Sequence, residues 1–236
     1  MSARTSGGTP GGAWAAFVRA TPTGLALVPV GMLFGVLAAQ ANWGALDVLL
    51  FGMLGFSGSG QFALLPLAAQ GQGFLTMLLV AVSINSRYVP IAFVTASRLP
   101  RAPVRRAFLA HLLGDEAYAV EHEQDASVSI LAIRLTIYGA WVLSTLAGVL
   151  AAGLLPRSSL SGGMNLGFPA SAVLLVLSFG QLKARVPRIA APWRRRLAEM
   201  GLCIAAAMLL FAVLGPVWFW LPSIAFSSWR LWRAGA

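Results

Sequence analysis

The chain has 236 residues, 58% hydrophobic and 10% charged, with a mean hydropathy of +0.78. Soluble domains carry about a quarter charged residues, so a soluble domain is excluded and helical spans of about 20 apolar residues are expected. The net charge of +10 does not indicate nucleic acid, because the 17 basic residues, nearly all arginine, cluster between apolar runs, as the positive-inside rule places them.

Residues 1–12 are polar and glycine-rich, and a disordered cytoplasmic tail is expected there. Residues 13–236 are expected to form a single transmembrane domain. The first span is expected over 24–41, with Pro22 and Pro29 near its start. That run ends in "AAQA", similar to a signal-peptidase site, but the polar stretch before it is too long for a cleaved signal. An interrupted apolar stretch, 46–69, follows, then 74–97. Arg98, Arg101, Arg105 and Arg106 form the first basic loop. A short segment, 107–120, holds His111, Asp115 and Glu116, and an acidic link leads to a long run over 128–155. Beyond it lie a shorter segment, 168–182, and a second basic loop with Lys183, Arg185, Arg188, Arg194, Arg195 and Arg196. The runs 197–214 and 217–232 end the chain, the latter flanked by Trp218, Trp220, Trp229 and Trp232 in an interfacial belt pattern. Cys203 is the single cysteine, so neither a disulfide framework nor a thiolate metal site is expected.

Charge parity constrains the path. Arg4 and Arg19 put the N-terminus inside. Both basic loops stay inside only if 46–69 and 107–120 each enter and leave on one side. The expected fold is therefore all-α and polytopic, with six to eight membrane segments and broken or re-entrant segments near 55–61 and 107–120. Breaks in corresponding halves are a mark of transporters built as inverted repeats.

Three short motifs carry chemistry. The stretch "GFSGSGQF", residues 55–62, breaks the first segment with three glycines. Irregular backbone at membrane depth is tolerated only inside protein or against a water-filled cavity. Ser57, Ser59, Gly60 and Gln61 supply donors and acceptors there, and a half-helix starting near Gln61 would aim its amides at a carboxylate. Close helix packing by small residues is the alternative. In "INSRYVP", Asn85 and Arg87 lie deep in an apolar run, and Pro90 implies a kink. An arginine at that depth faces a cavity, a substrate carboxylate or an acid, or else snorkels. In "AHLLGDEAY", Asp115 and Glu116 are adjacent and point about 100° apart on a helix, so one of the two is expected to pair with Arg87 or to take an amine or a proton. Arg134 reads as a snorkelling anchor, and Asp47 and Glu199 as interfacial.

"GFSG" also resembles the rhomboid intramembrane protease signature, with Ser57 as nucleophile and His111 as base. The first span, however, offers only Gln40 as an oxyanion donor, and a protease leaves Gln61, Arg87 and Asp115 unexplained. A membrane scaffold without transport is a further class.

In order and spacing, "GSGQFALLPLAAQG", "NSRYVPIAF" and "GDEAYAV" resemble the AzlC family, the large subunits of bacterial branched-chain amino acid exporters. The resemblance implies a multi-pass protein of the bacterial cytoplasmic membrane that exports branched-chain or similar apolar amino acids. It also implies a small, separately encoded partner of the AzlD type, no catalytic activity and no cofactor. Ser57, Ser59, Gly60, Gln61, Asn85 and Arg87 would contact substrate, Phe62 would receive its side chain, and Asp115, Glu116 or His111 would handle the amine or the proton. Tyr88 and Gly114 depart from the histidine and threonine common in the family. No G-x-x-x-x-G-K-[ST] loop is present, so coupling to the proton gradient is expected. Cysteines placed singly at positions 44, 72 and 124 test the path: impermeant reagent should label 44 and 72 from one side and 124 from the other, and labelling of 44 and 72 from opposite sides would defeat the first re-entrant segment.

Overall fold

The computed structural model describes residues 12–154, 175, 179, 183 and 192–235. The expected tail and the segment 168–182 lie outside the described residues, apart from these positions. All described regular structure is helical: α1 (Ala13–Gln40), α2 (Ala45–Leu54), α3 (Gly58–Ala69), α4 (Phe74–Asn85), α5 (Tyr88–Thr95), a 3-10 turn (Ala96–Arg98), α6 (Pro103–His111), α7 (Asp115–Val120), α8 (Ser127–Ala152), α9 (Trp193–Trp218) and α10 (Trp220–Gly235). Among the described residues, three helices are long and apolar enough to cross a membrane: α1, α8 and residues 193–215 of α9. Helices α2 and α4 are apolar but shorter. The chain is a polytopic helical membrane protein.

Packing divides the chain into two compact units, one of residues 1–61 and 87–164, the other of 62–86 and 165–236. The first unit is built on α1 and α8. Helix α1 begins eleven residues earlier than the sequence suggests and runs for 28 residues, with Pro22 and Pro29 inside it. A side chain on Gly24 would lie against Thr136 and Ala140, one on Gly31 against Ser144, and one on Gly35 against Thr145, Gly148 and Val149. Contacts thus advance together along both helices, so α1 and α8 run parallel. A Cβ on Gly35 would run into the Thr145 carbonyl, and one on Gly148 into the Met32 carbonyl. The "GMLFG" spacing of Gly31 and Gly35 is the small-residue pattern that lets membrane helices approach at backbone distance.

Both parallel helices begin at the same end. There Arg19 pairs with Asp125 at 2.5 Å and donates to His122 Nδ1 at 2.8 Å. Burial would raise the Asp125 pKa, but its hydrogen bonds from Arg19 and the His122 amide more than offset this and hold it below the ordinary carboxylate range. Arg98 donates to the His122 carbonyl at 3.0 Å, which fixes the first basic loop at that end too. Gln40 closes the opposite end of α1.

The second unit contains α4, α9 and α10. In α9, Gly215 adopts φ 77°, which breaks the helix shortly before Pro216; this left-handed backbone suits glycine alone among residues without strain. Arg194, Arg195 and Arg196 belong to the first turns of α9 rather than to a loop. Arg230 of α10 grips Glu199 of α9 with Nε and Nη2, at 3.0 and 2.8 Å.

Two matched substitutions on α8 test the α1–α8 contact. Gly148→Ala should lower the thermal midpoint of the detergent-purified protein, costing about 1–3 kcal/mol by overpacking. Gly139→Ala, where a Cβ meets nothing within 4 Å, should be neutral or slightly stabilising. Equal effects would remove the close approach as a determinant of the fold.

Candidate functional site

Both expected breaks are present, and they meet beside the middle of α8. Helix α2 has ten residues and α3 twelve, so each is about half the length needed to span a bilayer. The chain leaves helix between them at residues 55–57. A helix that stops at membrane depth leaves carbonyls without amide partners, and with no water these must be satisfied by protein. Side chains supply the bonds. Gln61 Nε2 donates to the Phe51 carbonyl at 2.9 Å and to the Gly55 carbonyl at 3.1 Å. His111 Nε2 and Tyr138 Oη both donate to the Met53 carbonyl, at 2.7 and 3.2 Å. Gln61 Oε1 in turn accepts from Trp141 Nε1 at 2.8 Å.

Helix α3 starts with a side-chain cap. Ser57 Oγ accepts from the Gly60 amide at 3.3 Å, and the Ser57 carbonyl accepts from the Gln61 amide at 2.8 Å. This is the N-cap arrangement that serine favours. A Cβ on Gly58 would lie 3.2 Å from the Trp141 ring, so the turn passes close over the indole. Ser59 Oγ is buried without a hydrogen-bond partner.

The second break, at residues 112–114, lies between α6 and α7. Helix α6 rises from the end that holds Arg98, and its last residue, His111, reaches the end of α2 through the Met53 carbonyl. Helix α7 returns to the same end, where Glu121 meets Arg98 at 3.5 Å. The two breaks are also joined by Phe56, whose ring lies edge-on to Tyr138 at 5.0 Å and against Gly114.

Arg134 fastens this second break and does not snorkel. It is fully buried, with Nε 2.6 Å from Glu121 Oε1 and Nη1 donating to the Leu109 carbonyl at 2.6 Å. A guanidinium at this depth requires a counter-ion, and the acidic link supplies it. Arg134, Tyr138 and Trp141 follow i, i+4, i+7 spacing, one face of α8. The sequence reading missed that stripe, and Glu121 with it; polar and aromatic residues at helical spacing in a long apolar run were the available signal.

The third interruption separates α4 from α5 at Ser86 and Arg87. Both residues keep right-handed helical dihedrals. Pro90 has no amide to give the Ser86 carbonyl, which interrupts the helical hydrogen bonding here. Arg87 Nε lies 3.2 Å from Asp115 Oδ2, and Arg87 Nη2 donates to Tyr88 Oη at 3.0 Å with the guanidinium 4.9 Å from the ring centroid. Asp115 is 4% exposed, and Glu116 is within electrostatic reach of the same guanidinium.

The structure thus gathers Ser57, Gly60 and Gln61 at the start of α3, brings His111 to the end of α2, and pairs Arg87 with Asp115. Phe62 is fully buried and Asn85 ends α4; both belong to the second unit. Among the described residues no three His, Cys, Asp or Glu side chains gather as a metal site requires. Of the two residues of the protease-type reading, Ser57 Oγ accepts from the Gly60 amide and His111 Nε2 bonds the Met53 carbonyl.

Residues 22–155 match the family described as AzlC protein. A membrane protein of Archaeoglobus fulgidus, described as uncharacterized, is 34% identical over 177 residues, covering 73% of this chain and 77% of its own. A Helicobacter pylori membrane protein, described in the same words, is 25% identical over 201 residues, covering 83% of this chain and 82% of its own. No solved structure matches. The match to the family model spans both breaks, the Arg87–Asp115 pair and the α8 stripe, and the chain belongs to the AzlC family.

Proposed function

We propose that this protein exports branched-chain or similar apolar amino acids across the bacterial cytoplasmic membrane, as the large subunit of a proton-coupled carrier with a small AzlD-type partner. Family membership and the membrane relatives support transport as the general role. The observation that carries the finer reading is the meeting of two half-helix ends beside the middle of a spanning helix, next to an Arg87–Asp115 ion pair. Helix ends at mid-membrane are how secondary carriers hold small charged substrates.

In this reading the substrate carboxylate docks at the first turn of α3, where the Gly58 and Ser59 amides and Ser59 Oγ are donors. Gln61 acts by position, because its amide group already ties α2 to Trp141. Arg87 exchanges partners: it holds Asp115 when the site is empty and the carboxylate when it is filled. A proton on Asp115 and an amino acid on Arg87 each break this pair, and the site takes only one of them at a time, so one proton moves against each amino acid. Tyr88 steadies the guanidinium during the exchange, where many family members have histidine. Glu116 or His111 takes the amine.

Efflux of leucine or isoleucine from loaded cells tests this, with the chain expressed together with its candidate partner. Arg87→Ala and Asp115→Asn should each reduce efflux at least about tenfold, since each removes one member of a charge pair. Ser57→Ala should retain most of it, since the cap it removes is worth about 1 kcal/mol. Unchanged efflux in both charge variants would leave a scaffold as the better reading, and abolition by Ser57→Ala together with loss of a peptide-cleaving activity would favour the protease.

A further inference from the structure

The net positive charge of the chain is concentrated in the second unit, which holds eight basic residues against one acid, Glu199. That acid is occupied by Arg230, bidentate at 2.8 and 3.0 Å. The pair also fixes geometry. Helices α9 and α10 are consecutive, and Glu199 lies near the start of the first while Arg230 lies near the end of the second. The two helices therefore form an antiparallel hairpin. Arg195 and Arg196 are one turn before Glu199, and Arg233 is about one turn after Arg230. These guanidiniums and that of Arg194 share one end of the hairpin.

Arg194, Arg195 and Arg233 are exposed and have no ion pair among the described residues. The Arg233 guanidinium lies 4.4 Å from the Trp229 ring centroid, a cation–π contact that holds it at the rim. Trp193 and Trp229 are 59% and 44% exposed at the same end. Next to them begins an apolar surface, with Leu197, Leu202 and Ile204 each at least 43% exposed.

We propose that this end of the α9–α10 hairpin binds the headgroup of an anionic phospholipid. Arg194, Arg195 and Arg233 hold the phosphodiester, which suits guanidinium forks. The acyl chains run along the apolar face of α9 that starts at Leu197. The exposed tryptophans mark the boundary between the two, where indoles sit in membranes. A soluble phosphate uses only the arginines and leaves the adjoining tryptophans and apolar face without a role, so the lipid fits the whole surface.

The test uses the full chain purified in detergent. Its thermal midpoint is followed against added phosphatidylglycerol, phosphatidylcholine and inorganic phosphate. Phosphatidylglycerol should raise the midpoint, and the other two should not at equal concentration. The variant R194Q/R195Q/R233Q should need on the order of 100-fold more phosphatidylglycerol for the same rise, from about 1 kcal/mol per arginine near an anionic surface. The variant R101Q/R105Q, which removes two exposed arginines of the first unit, should respond like the parent. An equal response in the glutamine triple variant and the parent would overturn the proposal. So would a full response to phosphatidylcholine, which indicates general solvation, or to inorganic phosphate, which indicates a soluble anion. If the glutamine variant does not yield folded protein, R194K/R195K/R233K decides: it should weaken the response severalfold by loss of the forks, and an unaltered response would overturn the assignment.

Discussion

A helix that ends inside a membrane exposes carbonyls to a medium that cannot hydrogen-bond them. Much of the first unit follows from how that demand is met at the end of α2. The Phe51, Met53 and Gly55 carbonyls take their protons from Gln61, His111 and Tyr138. These donors come from three different helices, α3, α6 and α8. Satisfying the break therefore also docks the half-helices on α8 and on each other. Gln61 is central because one amide group both closes the break and holds the Trp141 indole.

The same economy appears at the second break, where Arg134 joins the Leu109 carbonyl to Glu121. Helix α8 thus serves both interruptions from one stripe, Arg134, Tyr138 and Trp141, while its glycine and small-residue face lies against α1. Buried ion pairs are weak sources of net stability, but an unpaired Arg134 or Glu121 at this depth would be costly. The pair therefore specifies where α7 returns more than it adds to stability. What remains near the break is a charged couple, Arg87 and Asp115, that no backbone demand explains. Motion of such a couple between partners is a natural source of coupling in a carrier.

Much of this was legible in the sequence. The glycines at 55, 58 and 60 and the adjacent acids at 115 and 116 marked both breaks, and charge parity led to the expectation that the chain turns back at each. The parallel run of α1 and α8 puts Arg19, Arg98 and His122 at one end. The start of α1 was misplaced because residues 13–23 carry proline and arginine, which obscure an apolar helix. The role of Arg134 was misread because an arginine near a helix end usually reaches for water, and its counter-ion lies thirteen residues away in another element. The stripe on α8 was not seen because its three members have different chemistries. Their common purpose appears only when the carbonyls they serve are located.

The most direct measurement of this account is a double-mutant cycle between Gln61 and Trp141, read as thermal stability of the purified protein. Gln61→Leu removes the partner of the Phe51 and Gly55 carbonyls and of the Trp141 indole N–H, so it should cost about 2–5 kcal/mol. Trp141→Phe should cost less, and the double variant should lose little beyond Gln61→Leu alone, giving a coupling of at least about 1 kcal/mol. A small loss for Gln61→Leu with additive effects in the double variant would contradict the claim that this side chain holds the broken helix to α8.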